Sequence, residues 1–99
     1  MSKKKHQVVV FITEWCPHCK NMRQHSWTDQ RVVESMTKYH GGKPAYILCN
    51  KPQNRPLVEE FSIEKYPTVV IMDEDHAIKK LAHNMSADDL LEFLEKFNG

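Results

Sequence analysis

Val8-Val9-Val10-Phe11-Ile12-Thr13-Glu14-Trp15-Cys16-Pro17-His18-Cys19-Lys20 carries the reading of this chain. Val8 to Ile12 is a β-branched and aromatic run with no polar interruption, the pattern of a strand buried on both faces and so placed inside a sheet. The run leads into a CxxC. Pro17 suits the first position of a helix, where its missing N–H would be unbonded anyway, so a helix is expected to begin at the cysteine pair. Two cysteines three apart on a first helical turn share a face, with Cα atoms about 5 to 6 Å apart, a spacing that a disulfide tolerates.

That placement separates the two sulfurs by role. Cys16 sits at the helix N-terminus, where unpaired N–H groups and the positive end of the dipole favour a thiolate, and is the expected nucleophile. Cys19 lies a turn inside, is expected to be the more buried, and would resolve a mixed disulfide by attacking it from within. Pro17 and His18, between them, are expected to set how strongly the pair oxidises. An imidazole beside Cys16 can hydrogen-bond or ion-pair with a thiolate and so stabilise the reduced form. Trp15 is either core packing or an aromatic lid next to the sulfur; its place outside the strand favours partial exposure.

The remaining chain supplies a scaffold of one domain, residues 1–99. With 99 residues, 40% of them hydrophobic and 27% charged, it has material for one core and excludes disordered or fibrous classes. Fourteen Lys and Arg against thirteen Asp and Glu leave +1, no global field for nucleic acid or an anionic membrane, so neither is expected as a partner. Three cysteines are too few for a stapled secreted scaffold. The start, Met1 to His6, resembles the basic part of a signal, but the apolar run behind it is too short and lacks a cleavage site, so a cytoplasmic setting is expected. Lys3 to Lys5 read as a solvated terminus, with residues 1–6 flexible.

Further elements follow from periodicity. The CxxC helix is expected to continue to about His25, and Trp27-Thr28-Asp29 to cap a second piece, Gln30 to Tyr39, with Val32, Val33 and Met36 on one face. Gly41-Gly42-Lys43-Pro44 ends it, and Ala45 to Cys49 is a second strand, parallel to the first because a long helical crossover joins them. Asn54 reads as the N-cap of a short helix through Leu57, Val58 and Phe61. Thr68 to Met72 and Ala77 to Leu81 form an antiparallel hairpin around Asp73 to His76. Ser86 to Asp89 cap a last helix with Leu90, Leu91, Leu94 and Phe97 at helical spacing. The fold class is therefore α/β, order βαβαββα, a four-stranded mixed sheet flanked by helices on both faces.

Two other readings compete for the cysteines. A CxxC can be half of a zinc site completed by Cys49 and one of His6, His25, His40, His76 or His83, but there is no second CxxC or HxxxH, and no metal is expected. Cys49 ends a strand pattern and reads as a small buried residue, its alternative being a further redox thiol. A fold-only binding subunit with incidental redox activity would have no use for a reactive thiol.

Phe11 to Lys20, FITEWCPHCK, together with Tyr66-Pro67-Thr68-Val69 some fifty residues on, resembles the thioredoxin superfamily over nearly the whole chain. Asn21 to Val33, NMRQHSWTDQRVV, is similar to the subgroup that includes the C-terminal domain of the Dsb-type reductase, and Cys-Pro-His-Cys is similar to the Dsb-type oxidases. The resemblance implies a thiol-disulfide oxidoreductase that works on protein disulfides or dithiols through a mixed disulfide, with no cofactor beyond Cys16 and Cys19. It implies client proteins, a thioredoxin-reductase-like or glutathione-type electron donor, and a monomer. It also implies that Pro67 is a cis-proline packed on the disulfide, that Tyr66 offers backbone hydrogen bonds to a client, and that Trp15, His18, Tyr66, Pro67 and Thr68 form the rim. Two positions depart from the family. Val10 stands where many members keep a buried acid that serves the resolving thiol; unless Glu14 or a bound water substitutes, Cys19 lacks an internal base and slower deprotonation at neutral pH is expected. Ala82-His83-Asn84 replaces a small glycine near the site, making His83 a candidate substrate contact.

Overall fold

The computed structural model describes residues 6–75 and 77–98; Lys3 to Lys5 and His76 lie outside the described residues. Four strands, β1 (Gln7–Ile12), β2 (Ala45–Leu48), β3 (Thr68–Met72) and β4 (Ile78–Ala82), form one sheet in the order β2-β1-β3-β4. β1 runs parallel to β2, pairing Val9 with Ala45 and Ile12 with Leu48, and antiparallel to β3, pairing Val8 with Ile71 and Val10 with Val69. β3 and β4 are the antiparallel hairpin, with an irregularity between Ile71 and Met72. β1 and β3 are thus the two interior strands, and both are buried throughout apart from Gln7.

Alternation along those strands builds two cores. Val8, Val10, Ile12, Val69 and Ile71 face α1 (Pro17–Asn21), α2 (Gln30–Met36) and α4 (Ala87–Asn98), meeting Met22, Val32, Met36, Leu90 and Leu94. Val9, Phe11, Val70 and Met72 face α3 (Arg55–Glu60) and the turn after it, where Leu57, Val58, Phe61 and Ile63 pack. Helices therefore cover both faces, three on one and one on the other.

Several local expectations change. The CxxC helix passes through a π-helical segment, Met22–Ser26, before Asp29 starts α2 by accepting the Arg31 N–H at 2.9 Å. α2 ends at Met36 rather than Tyr39, and Val33 is 43% exposed, because only Val32 and Met36, four apart, turn onto the sheet. Asn54 precedes α3 but does not cap it with its side chain; its amide instead donates to the Leu48 carbonyl at 2.8 Å, tying α3 to the end of β2. In α4, Phe93 is buried beside Leu90 and Leu94, a position the leucine spacing left out, and Ser86 Oγ accepts the Asp89 N–H at 3.2 Å. His6, expected to be flexible, accepts a backbone hydrogen bond from His40 at 2.8 Å and sets its ring edge-on to Phe97 at 4.8 Å.

Candidate active site

β1 ends at Ile12 and the chain turns through Thr13 to Trp15, so Cys16 arrives at the end of an interior strand as the N-cap of α1, with Pro17 opening the helix. Its backbone is extended there, with φ −80° and ψ 111°, which turns the side chain back over the first helical turn. The Cys19 N–H accordingly donates to Cys16 Sγ at 3.3 Å. This bond is what a CxxC at a helix start arranges locally: it aims a backbone donor of the first turn at the outer sulfur.

Cys16 is half-buried and Cys19 is 6% exposed. Burial pushes the Cys19 thiol up to about 12, with its side-chain hydrogen bond to Cys16 adding to the rise and a backbone hydrogen bond from Thr13 opposing it. Val10, buried at 1% exposure in the same core, supplies no charge or proton acceptor.

Fifty residues later the Tyr66–Pro67 peptide bond is cis. The Cys16 thiol donates to the Tyr66 carbonyl at 3.5 Å, so the segment before β3 closes over the outer sulfur. The Tyr66 phenol meets Cys49 by a side-chain hydrogen bond. Burial raises both groups above their usual values, Cys49 most through desolvation and Tyr66 likewise. Cys49 is half-buried rather than core, because it follows the end of the edge strand β2. Its N–H extends the ladder to the Ile12 carbonyl at 2.7 Å, and its Sγ lies 3.8 Å from the Ile47 carbonyl.

The expected rim divides. Trp15 is 74% exposed, well beyond partial, and Pro17 and His18 are exposed beside it. Among the described residues, no hydrogen bond joins the His18 ring to Cys16. Pro67 is buried under the Tyr66 turn. Thr68 is 1% exposed and so is not a rim residue: it opens an interior strand that is covered on both faces. Its hydroxyl donates to the Lys65 carbonyl, and its oxygen lies 3.2 Å from His83 Nδ1. Because the hydroxyl has one proton and Lys65 takes it, the Thr68 oxygen accepts from His83 Nδ1, which leaves Nε2 on an exposed ring.

A cavity of about 290 Å³ opens beside the pair, lined by both cysteines together with Glu14, Lys20, Arg23 and Leu48 among others. Glu14 is clamped there: its N–H donates to Asn50 Oδ1 at 3.3 Å, Asn50 Nδ2 returns a bond to Oε2 at 3.2 Å, and Lys51 Nζ lies 3.1 Å from Oε1. Nothing in the sequence pattern announced Asn50 and Lys51, because Glu14 lies 36 residues before Asn50. Among the described residues, no three His, Cys, Asp or Glu side chains come together as a metal-binding group.

The thioredoxin family model matches residues 1–96. The chain belongs to the thioredoxin family. A protein disulfide-isomerase from Zea mays is 27% identical over 97% of this thioredoxin domain, which spans 18% of that relative, less than a fifth of its length. The solution structure of a thioredoxin from Thermus thermophilus superposes with a TM-score of 0.79 at 18% identity, covering 95% of this chain and 74% of that one. The reduced C-terminal domain of DsbD from Neisseria meningitidis superposes at 0.73 with 23% identity, covering 94% and 81%. Against that background the Glu14 clamp matters. Both carboxylate oxygens of Glu14, one of the two substitutes considered for the missing buried acid, are engaged by Asn50 and Lys51.

Proposed function

We propose that this thioredoxin domain is a thiol-disulfide oxidoreductase for protein disulfides. One observation carries the proposal: Cys16 Sγ receives the Cys19 N–H while lying against the Tyr66 carbonyl, so the outer sulfur is held where a client sulfur can reach it and the inner one directly behind. In the first step the Cys16 thiolate attacks one sulfur of a client disulfide, forming a mixed disulfide and expelling the other client sulfur as a thiolate. In the second, Cys19 loses its proton and attacks Cys16 Sγ, forming the Cys16–Cys19 disulfide and releasing the second client thiolate. Two electrons pass to the client, and two protons end on its thiols.

Trp15, Tyr66, Pro67 and His83 are the surfaces around which a client would lie, with the Pro67 turn supplying the Tyr66 backbone and His83 an exposed imidazole. Pro17 and His18 would tune the couple from the helix start. The setting we propose is a reducing, cytoplasmic one, with the protein acting as a monomer that receives electrons from a thioredoxin-reductase-like or glutathione-type donor; this rests on the sequence reading above. Cys16→Ser should abolish reduction of a protein disulfide such as insulin's, whereas Cys19→Ser should trap clients as mixed disulfides visible on non-reducing gels. Full activity in the Cys16 variant would overturn the reading.

A further inference from the structure

The two faces of the sheet are covered unequally. Three helices lie on one face, and on the other, among the described residues, only α3 and the turn after it. The six residues of α3, at about 1.5 Å each, reach about 9 Å, whereas four strands about 4.8 Å apart are about 14 Å across. The apolar side chains on this face therefore outrun their cover towards the edge strand β2. A cavity of about 250 Å³ opens there, between α3 and the β1–β2 pair. Val9 and Ala45, register partners on those strands, both line it, and the single methyl of Ala45 leaves space that a longer side chain would fill. Phe11 and Phe61 also line it, with ring centroids 6.0 Å apart and planes inclined by 57°. Glu60, exposed in the last turn of α3, is the one charged side chain in the lining, and among the described residues it enters no ion pair.

We propose that this cavity binds a small aromatic amine, its ring packed against Phe11 and Phe61 and a short chain carrying its ammonium group to Glu60. Size, shape and charge each narrow the class. About 250 Å³ exceeds the roughly 150 Å³ that admits a benzene ring and falls below the roughly 300 Å³ at which drug-sized sites begin, so there is room for one ring and a few further atoms. Two inclined rings favour a third aromatic ring over an aliphatic chain, because edge-to-face and offset contacts add to simple area burial. The carboxylate of Glu60 sits at the negative end of the α3 dipole, which favours a cation there and opposes an anion. The site is separate from the thiol chemistry: Cys16 and Cys19 pack in the layer on the opposite face of the sheet.

The test titrates phenethylamine into the full chain and follows backbone amide NMR shifts, with hydrocinnamide and hydrocinnamate as neutral and anionic counterparts of similar size. Saturable shifts should centre on Val9, Ala45, Leu57 and Phe61, with a dissociation constant of about 1 mM or below for the amine. The amide should bind about threefold and the carboxylate about tenfold more weakly at low ionic strength, a spread that narrows in salt. Glu60→Gln should bring the amine to the affinity of the amide, and Ala45→Leu should abolish binding of all three by filling the cavity, with circular dichroism unchanged in both variants. Should Ala45→Leu fail to fold, Glu60→Gln at its exposed position decides alone. No saturable shifts up to about 10 mM, shifts centred on Trp15 and Cys16 instead, or equal affinity for amine and carboxylate would overturn the proposal. None of these results bears on the oxidoreductase reading, which insulin reduction tests separately.

Discussion

Cys19 is the side chain whose environment most constrains the chemistry. Burial holds its thiol at about 12, yet in the proposed reaction it must deprotonate to release a client. In the mixed disulfide Cys16 is no longer a thiol, so its contribution is gone, but desolvation, the largest cause, stays. Val10 cannot take the proton and Glu14 is bound to Asn50 and Lys51. The resolving step should therefore follow the thiolate fraction, rising about tenfold per pH unit between about pH 6 and 9 with no plateau. Stopped-flow release of a chromogenic thiol from a preformed Cys16 mixed disulfide measures this directly. A plateau near neutral pH would mean that Cys19 has a proton acceptor these contacts do not provide. Cys16 and Cys19 themselves were legible from four consecutive residues because a helix start fixes their relation locally. Thr68 was misread as rim because its burial depends on what covers β3, which its own neighbours do not state.

α2 is a short helix of seven residues, too short to stand without its cap and its packing. Asp29 is the cap: Oδ1 accepts the Arg31 N–H at 2.9 Å, and the carboxylate also takes the Arg31 guanidinium, which reaches on to Asp88 at 2.7 Å and so links α2 to the first turn of α4. The guanidinium holds the Asp29 carboxyl below the usual carboxylate range. Asp29→Ala should lower stability by about 1 kcal/mol, the usual cost of a lost N-cap, read as a lower urea midpoint with unchanged slope. Asp29→Asn, which keeps the capping oxygen, should recover most of that loss; equal losses in both variants would assign the effect to the exposed ion pair instead. The cap was readable because Asp before an apolar period is a local signal. The exposure of Val33 was not, since Val32 and Val33 are equivalent until the sheet selects one side.

The layer formed by α2 and α4 on the sheet is pinned through buried polar bonds as well as apolar contact. Tyr39, three residues beyond α2, is 1% exposed and donates to the Leu94 carbonyl at 2.8 Å; Ser26 Oγ donates to the Met85 carbonyl at 2.8 Å. Burial, with the Glu95 charge second, pushes the Tyr39 phenol up to about 12, above its ordinary 10.0. The sign follows: the folded state holds this proton more tightly than the unfolded chain, so the stabilisation is complete below pH 10 and is lost as pH rises towards 12, with Cys19 acting the same way from pH 9 upward. Urea midpoints should be flat to about pH 9 and fall above about pH 10. Tyr39→Phe should lose about 1 kcal/mol at neutral pH by removing the buried hydrogen bond that joins it to the Leu94 carbonyl, and should fall less steeply at alkaline pH. An equally steep alkaline fall would remove Tyr39 from the explanation.

Period and local chemistry were enough to give the element order, the interior place of β1, the helix start at Pro17 and the deeper burial of Cys19 than of Cys16. Each depends on residues within a turn or a strand of one another, where hydrogen-bond pattern and side-chain direction repeat with fixed spacing. Other features exist only once the sheet is assembled in the order β2-β1-β3-β4. That assembly brings Tyr66 against Cys16 across fifty residues and Asn50 against Glu14 across 36, and buries Thr68. A contact across such a separation is set by which strands pair and which faces are covered, and no single segment carries that information.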